Sequence, residues 1–456
     1  MNKMDSITGT NLGGCDDFCI RIDNEDCPFV VSSVMIFKDN LDIEVIKDQF
    51  RQLVIKFPRF KSVIYGGTFW SRYKWREIND FDVCDFIETR QLGIGDLEEL
   101  KECAAKCISE KMDLDKSLWR AYAIYGLEGG KCSALVIKVH HCIGDGQGCM
   151  HALLGLMSDG HDQLLERIKF FKDKNYSLSS ESKIQTSYFT YLTYLMGILC
   201  SFLFLIGYSL FFEPIKLLST SLKRQNLKYV GNIKYTRKTL NWTEEIKTSD
   251  ISFIRKAFGV SFNDVVVTII TRAIRAYFTE INYLLDKELL IFIPISMRVS
   301  TNLDCNNSAI VRFINVSLEE QTIKESVKHV HKRMNKLKQS SVSYLAYLFY
   351  EYWPIPGVYF RKMLHSMESI GHGVITNVPG PVRPLTFAGQ KVAKFVAIPP
   401  QNCPGGLGIG VVSYAGKVTC SIYDDIMPQY PNISKRISEL IFEEFEIYLK
   451  AAKKLD

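Results

Sequence analysis

Two adjacent histidines close an apolar run in LVIKVHHCIGDGQGCM (residues 135–150), and Asp145 follows the second by four places. Gly144, Gly146 and Gly148 surround that aspartate. A neutral imidazole, with an ordinary pKa of about 6.5, takes a proton from a hydroxyl while that oxygen attacks another group. Such a base needs a rigid seat, which a strand end supplies, and open space on one side, which small residues supply. His141 at the end of ALVIKV meets both conditions. Metal binding is the rival chemistry. Successive strand side chains point to opposite faces, so His140 and His141 do not share one ion, and His151 has no acidic partner at helical spacing. The expectation is no metal. A thiol mechanism through Cys142 has only sequence adjacency behind it, which is not hydrogen-bond geometry. On residue types alone, a histidine pair in an ordinary strand-to-loop turn stays open.

The elements that must position this loop follow from periodicity. FVVSSVMIF (29–37) and SALVIKV (133–139) read as strands, and DIEVIKDQFRQLVIKF (42–57) as an amphipathic helix ending before Pro58. LEELKECAAKCISEKM (97–112) is helical, and CMHALLGLM (149–157) resumes helical periodicity after the glycines. In the later part, NDVVVTIITRAIRAYF (263–278) carries a helix's period. ELLIFIPISMR (288–298) is a strand, and IKESVKHVHKRMNKLKQ (323–339) is a basic helix. GIGVVSYAGKVTCSIYDD (408–425) reads as a hairpin turning at Ala415-Gly416, and ISELIFEEFEIYLKAAKK (437–454) as a closing amphipathic helix.

A chain of 456 residues is too long for one ordinary core, so two packed halves are expected. With 47% hydrophobic and 12% aromatic residues it is not a disordered chain. The charge of +6 comes without an arginine-rich arm or basic stripe, which argues against nucleic acid and only weakly favours an anionic surface or phosphate-bearing ligand. Thirteen cysteines form no framework, as expected of core thiols in a reducing compartment. The acidic N-terminal thirty residues lack an apolar signal core. No charged residue occurs from Ile184 to Phe212. Within that window, 188–212 exceeds the ~20 apolar residues that cross a bilayer. The α/β organisation is therefore 1–176, a linker and membrane-seeking apolar insert at 177–230, and 231–456.

The pattern HHxxxDG, filled by His140, His141, Asp145 and Gly146, resembles the signature of the CoA-dependent acyltransferase superfamily. MDLDKSLWRAYAIYGLEGGKCSALVIKVHHCIGDG, which contains Trp119, resembles the wax ester synthase/diacylglycerol acyltransferase family around its PLW and histidine motifs. SFNDVVVTIITRAIRAYF, with Asn263 and Asp264, is similar to that family's ND block, and PISMR, with Ser296 and Arg298, to its PVSxR segment. ITNVPGPVRPLTFAGQKV, with Asn377, Pro379 and Gly380, resembles the NVPGP motif, and GLGIGVVSYAGKV the terminal SYAG hairpin. The blocks run in the family's order over about residues 25–450. The DFGWG motif of the plant branch is absent. The sequence departs at Ser117, where the PLW proline would stand, and at Thr376.

The resemblance implies two chloramphenicol-acetyltransferase-like halves with a tunnel between them, and no cofactor beyond acyl-CoA as substrate. His141 would deprotonate a lipid hydroxyl attacking a long-chain acyl-CoA, with direct transfer, giving wax ester, triacylglycerol or both. Asp145 would hold the loop through an ionic contact with Arg298, and His140 would orient the backbone. Asn263 and Asp264 would cap their helix and shape the tunnel. Asn377 to Pro381 would form a stiff wall in which Gly380 takes positive φ. The same scaffold acylating a sterol or small alcohol, or an idle membrane-tethered lipid binder, are the competing expectations. Both halves must face the cytosol, at the endoplasmic reticulum, for one tunnel to form. The insert is therefore expected to be re-entrant or in-plane, bending at Gly197 or Gly207 and leaving at Pro214. Acceptor, chain length and oligomeric state are not encoded in these motifs.

Overall fold

Short polar residues begin several of the described helices. Asp42 accepts the Glu44 N–H at 2.8 Å to open α2 (Ile43–Lys56), and Asp96 accepts the Glu99 N–H at 2.8 Å to open α3 (Leu97–Ser109). The structure, a computed structural model, describes residues 7–23, 27–68, 70–158, 160, 162–163, 196, 237–282, 288–298, 303–338, 341–352, 372–401 and 406–455. Apart from Met196, the apolar stretch at 188–212 lies outside the described residues, as do the linker and the proposed bend and exit. Among the described residues no single helix is long and apolar enough to cross a membrane.

The part before residue 177 supplies α1 (Gly14–Ile22), β1 (Val30–Phe37), β2 (Ser62–Tyr65), β3 (Lys74–Glu77), β4 (Ile87–Gln91), β5 (Trp119–Gly126), β6 (Cys132–His140) and α4 (Gly146–Leu154). All nine residues of β6 are buried, because β1 and β5 flank it and both sheet faces are covered. Lys138, within this strand, keeps its ammonium satisfied by donating to the carbonyls of Cys107, at 2.9 Å, and Glu110 near the end of α3. The antiparallel register pairs Val30 with His140, which brings Phe29 beside His141.

The later part supplies β7 (Lys238–Trp242), β8 (Ile246–Lys247), α5 (Thr248–Phe258), α6 (Phe262–Glu280), β9 (Glu288–Ser296) and β10 (Ala309–Ser317). It continues through α7 (Ile323–Lys338), α8 (Ser341–Tyr352), β11 (Gly373–Pro379), β12 (Thr386–Phe387), β13 (Gln390–Ile398), β14 (Leu407–Tyr414), β15 (Lys417–Asp425) and α9 (Ile433–Lys453). The second sheet runs β10-β9-β11-β14-β15-β7, with β8 also on β15. The β14–β15 hairpin turns at Ala415 (φ 48°) and Gly416 (φ 78°), the left-handed pair that a two-residue turn between right-twisted strands requires.

The sequence boundary at 231 is crossed in space. The first sheet runs β12-β13-β1-β6-β5-β4, so two strands from the C-terminal part complete it. Ser32 pairs with Ile398, and the two sheets meet where the Ser421 hydroxyl donates to the Ala397 carbonyl at 2.5 Å. A Cβ on Gly410 would stand 2.1 Å from that same carbonyl oxygen, so the close approach requires glycine. The halves interlock through β13 rather than merely abutting.

Candidate active site

His141 follows β6 directly, and its backbone N–H donates to the Phe29 carbonyl at 2.9 Å, an extension of the β1–β6 ladder. The imidazole stacks on the Phe29 ring, centroids 4.8 Å apart at 28°. Its Nδ1 lies 2.8 Å from Asn307 Oδ1 and 3.6 Å from Cys19 Sγ. Burial lowers the His141 pKa below its ordinary value. The Asp145 charge and the Asn307 hydrogen bond oppose that shift without cancelling it. Burial thus favours the neutral form of the ring.

The ring borders a cavity of about 460 Å³ between the two sheets, within the usual range of ligand pockets. Phe18, Phe29, Ile137, Val139 and Leu153 line it from the first part, and Phe292, Ala309, Val311, Val374 and Phe395 from the second. The lining is chiefly apolar.

Asp145 borders the cavity, with its carboxylate engaged by the loop rather than by the His141 ring. It is the N-cap of α4, accepting the Gly148 N–H at 2.7 Å, and it also accepts the Ser308 N–H at 2.9 Å. Arg298 Nη2 reaches its two oxygens at 3.1 and 3.2 Å, the ionic contact expected from the sequence. Arg298 further donates to the carbonyls of Asp304, at 2.7 Å, and Asn306, at 2.6 Å. One carboxylate thus ties the histidine loop to the segment before β10. His140 is fully buried, and its Nδ1 accepts the Cys142 N–H at 3.1 Å, which tightens the turn below His141.

Several sequence expectations need correction. Of the glycines, Gly146 borders the cavity, but Gly144 and Gly148 do not supply open space. A Cβ on Gly144 would meet Cys305 Sγ at 2.8 Å, and one on Gly148 the Asn306 carbonyl at 2.9 Å, so they permit close packing of loop on loop. Of the residues assigned to the tunnel, Ser296 and Asn377 border the cavity, whereas Trp119, Asn263, Asp264, Pro379 and Gly380 do not. Trp119 is fully buried, stacked on Phe50 at 4.9 Å, with its indole N–H donating to the Phe60 carbonyl at 2.7 Å. The Ser117 hydroxyl donates to that same carbonyl at 2.8 Å, so serine anchors the turn where a proline was expected. Ser261, not Asn263, caps α6. Asp264 closes the capping box and is held by His331 Nδ1 at 2.6 Å. Asn263 acts one step back, accepting from Asn377 Nδ2 at 2.8 Å. Gly380 does not take positive φ. Its Cβ would lie 2.2 Å from the Ser413 carbonyl oxygen, and that approach is what demands glycine. Cys142 is fully buried, and burial pushes its thiol well above the ordinary value, which removes it as a nucleophile. Among the described residues, no group of three His, Cys, Asp or Glu side chains is placed to hold a metal ion.

The residues missed in the sequence are Asp16, Asn307 and Arg59. Asn307 donates from Nδ2 to Asp16 Oδ1 at 2.8 Å and to the His141 carbonyl at 2.6 Å, and Arg59 pairs with Asp16 at 2.8 Å. The polar run Asn306–Ser308 ahead of an apolar strand was the one available sign.

Two interlocked sheets are also the fold of condensation domains. The first condensation domain of the calcium-dependent antibiotic synthetase matches over 99% of this chain and 97% of its own, at 13% identity and a TM-score of 0.58. A wax ester synthase/diacylglycerol acyltransferase from Marinobacter aquaeolei VT8 matches with a TM-score of 0.63 at 19% identity, over 97% of this chain and 100% of that one. Residues 12–266 match the wax ester synthase/diacylglycerol acyltransferase catalytic domain, and residues 306–441 match the C-terminal domain of the same family. The chain belongs to that family and is an acyltransferase. A curated relative, the probable diacylglycerol O-acyltransferase tgs2 of Mycobacterium tuberculosis, is 25% identical over 390 residues, 82% of each chain.

Proposed function

We propose that this protein moves a long-chain acyl group from acyl-CoA to a lipid hydroxyl, a fatty alcohol, a diacylglycerol or both, with His141 as general base. The observation that carries the reading is an imidazole seated on the wall of an apolar cavity between the halves, where burial favours its neutral form. His141 Nε2 takes the hydroxyl proton as the oxygen forms its bond to the thioester carbon. The carbon–sulfur bond then breaks, and the imidazolium returns its proton to the departing CoA sulfur. No acyl-enzyme is needed, since the buried thiols at the cavity wall, Cys19 and Cys149 among them, are held protonated. The apolar lining serves a second end, because water is the competing nucleophile that would hydrolyse the thioester. Asp145, Arg298 and His140 hold the loop without touching the reacting atoms.

Membrane association belongs to the same proposal, because such acceptors reside in bilayers, with both halves on the cytosolic face of the endoplasmic reticulum. Epitope tags at residue 175 and at the C-terminus should then both be accessible after selective plasma-membrane permeabilisation. The activity is tested by supplying radiolabelled acyl-CoA with hexadecanol, diacylglycerol or a sterol, beside a His141→Ala variant. Labelled wax ester or triacylglycerol is expected from the parent, with a loss of about 10²–10⁴-fold in the variant. Label in sterol ester alone moves the acceptor assignment, and half-activity in His141→Ala overturns the base.

A further inference from the structure

The amide of Asn307 has only one orientation that its neighbours permit. One end lies 2.8 Å from Asp16 Oδ1 and 2.6 Å from the His141 carbonyl, and both of those groups only accept. That end is therefore the NH₂. The other end is the amide oxygen, 2.8 Å from His141 Nδ1, and an amide oxygen cannot donate. The ring proton consequently sits on Nδ1, and the lone pair sits on Nε2.

Asp16 is in turn immobilised. It is buried on α1, its Oδ1 also accepts the Asn307 backbone N–H at 3.0 Å, and its Oδ2 pairs with Arg59 at 2.8 Å. Arg59 donates as well to the Ile143 carbonyl, at 3.0 Å, within the histidine loop. The carboxylate thus holds the amide, the amide holds the ring, and the guanidinium ties the carboxylate to the loop that carries the ring. The three partners come from three distant segments, and Asn307 from the opposite half.

We infer that Asp16 is a positioning residue that sets the tautomer of His141 through Asn307, keeping the unprotonated nitrogen at Nε2. The inference rests on the reading of His141 as the base. With the Asp16 carboxylate removed, the His141 carbonyl is the one acceptor left for the Asn307 NH₂, and the amide turns more readily to offer that NH₂ to Nδ1. The ring then carries its proton on Nε2 and has no lone pair there for a hydroxyl. The charged and titratable groups around the ring are Asp16 and Cys19 on α1, Asp145 and His140 on its own loop, and Arg59.

The test uses the full chain labelled with ¹⁵N-histidine and long-range ¹⁵N–¹H spectra of the imidazoles, His141 being assigned by its loss in His141→Ala. The parent should show the Nδ1–H form, and Asp16→Asn should shift it toward Nε2–H. kcat in Asp16→Asn should fall about 10–100-fold, as for other residues that orient an active group, with KM within about twofold. Should Asp16→Asn fail to fold, Asn307→Ala gives the same readout with the Asp16–Arg59 pair intact. An unchanged tautomer in both variants overturns the inference and leaves the base reading standing, whereas a parent ring with its proton on Nε2 overturns both. A tautomer that shifts while kcat does not overturns the base reading instead.

Discussion

Replacing Asp145 by asparagine should unfold the protein at lower temperature as well as silence it. Four donor contacts converge on this carboxylate: the N–H groups of Gly148 at 2.7 Å and Ser308 at 2.9 Å, and two contacts from Arg298 at 3.1 and 3.2 Å. An amide has one oxygen to offer. If it keeps the helix cap, where asparagine serves as well as aspartate, its NH₂ faces donors from Ser308 and Arg298. Arg298 is 3% exposed in its side chain, so the substitution removes a buried ionic contact. Breaking such a pair from one side costs about 3–5 kcal/mol. Unfolding entropy of about 2.1 cal/mol/K per residue gives about 1 kcal/mol/K for a chain this long, so the melting temperature should fall by about 3–5 °C. Asp145→Ala adds the lost cap, about 1 kcal/mol more. Melts at matched scan rates, read beside acyl transfer, provide the assay. The double variant Asp145→Asn with Arg298→Met removes both charges and should fall by less than the sum of the singles. An Asp145→Asn protein that melts within 1 °C of the parent yet is inactive would refute this reasoning and make the carboxylate a participant in the chemistry.

Burial lowers the His141 pKa, so the acid limb of kcat/KM should lie below about pH 6.5. By linkage the same depressed group leaves stability intact above the unfolded value and withdraws it as pH falls through the folded one. An acid limb at pH 7 or above contradicts this. Gly380→Ala puts a Cβ 2.2 Å from the Ser413 carbonyl oxygen and should destabilise by about 1–3 kcal/mol, seen as a lower denaturation midpoint. A parent-like midpoint would show that β11 and β14 separate freely there. Ala309→Phe fills part of the cavity and should lower kcat/KM for long acyl chains more than for short ones in direct competition. An equal loss for both lengths would place the acyl chain elsewhere.

What the sequence determined by itself is local. The period of 263–278 writes α6, Ala415-Gly416 writes a hairpin, and the apolar run through Val139 ends a buried strand at the histidines. These follow from backbone sterics and side-chain periodicity within a few residues, so one stretch of chain suffices to read them. The HHxxxDG loop and its Arg298 contact were legible because residue types and motif order carry them. Tertiary structure alone decided the rest. It placed β13 in the first sheet and turned Trp119, Asp264 and Gly380 from tunnel wall into packing. It also brought Asp16 and Asn307, 291 positions apart, into hydrogen-bond contact beside His141. A hydrogen bond is specified by distance and angle between atoms, and no periodicity encodes which distant loop will supply the partner. Only the closing of two sheets on one another puts an acceptor-only carboxylate behind an amide, and that amide behind the imidazole.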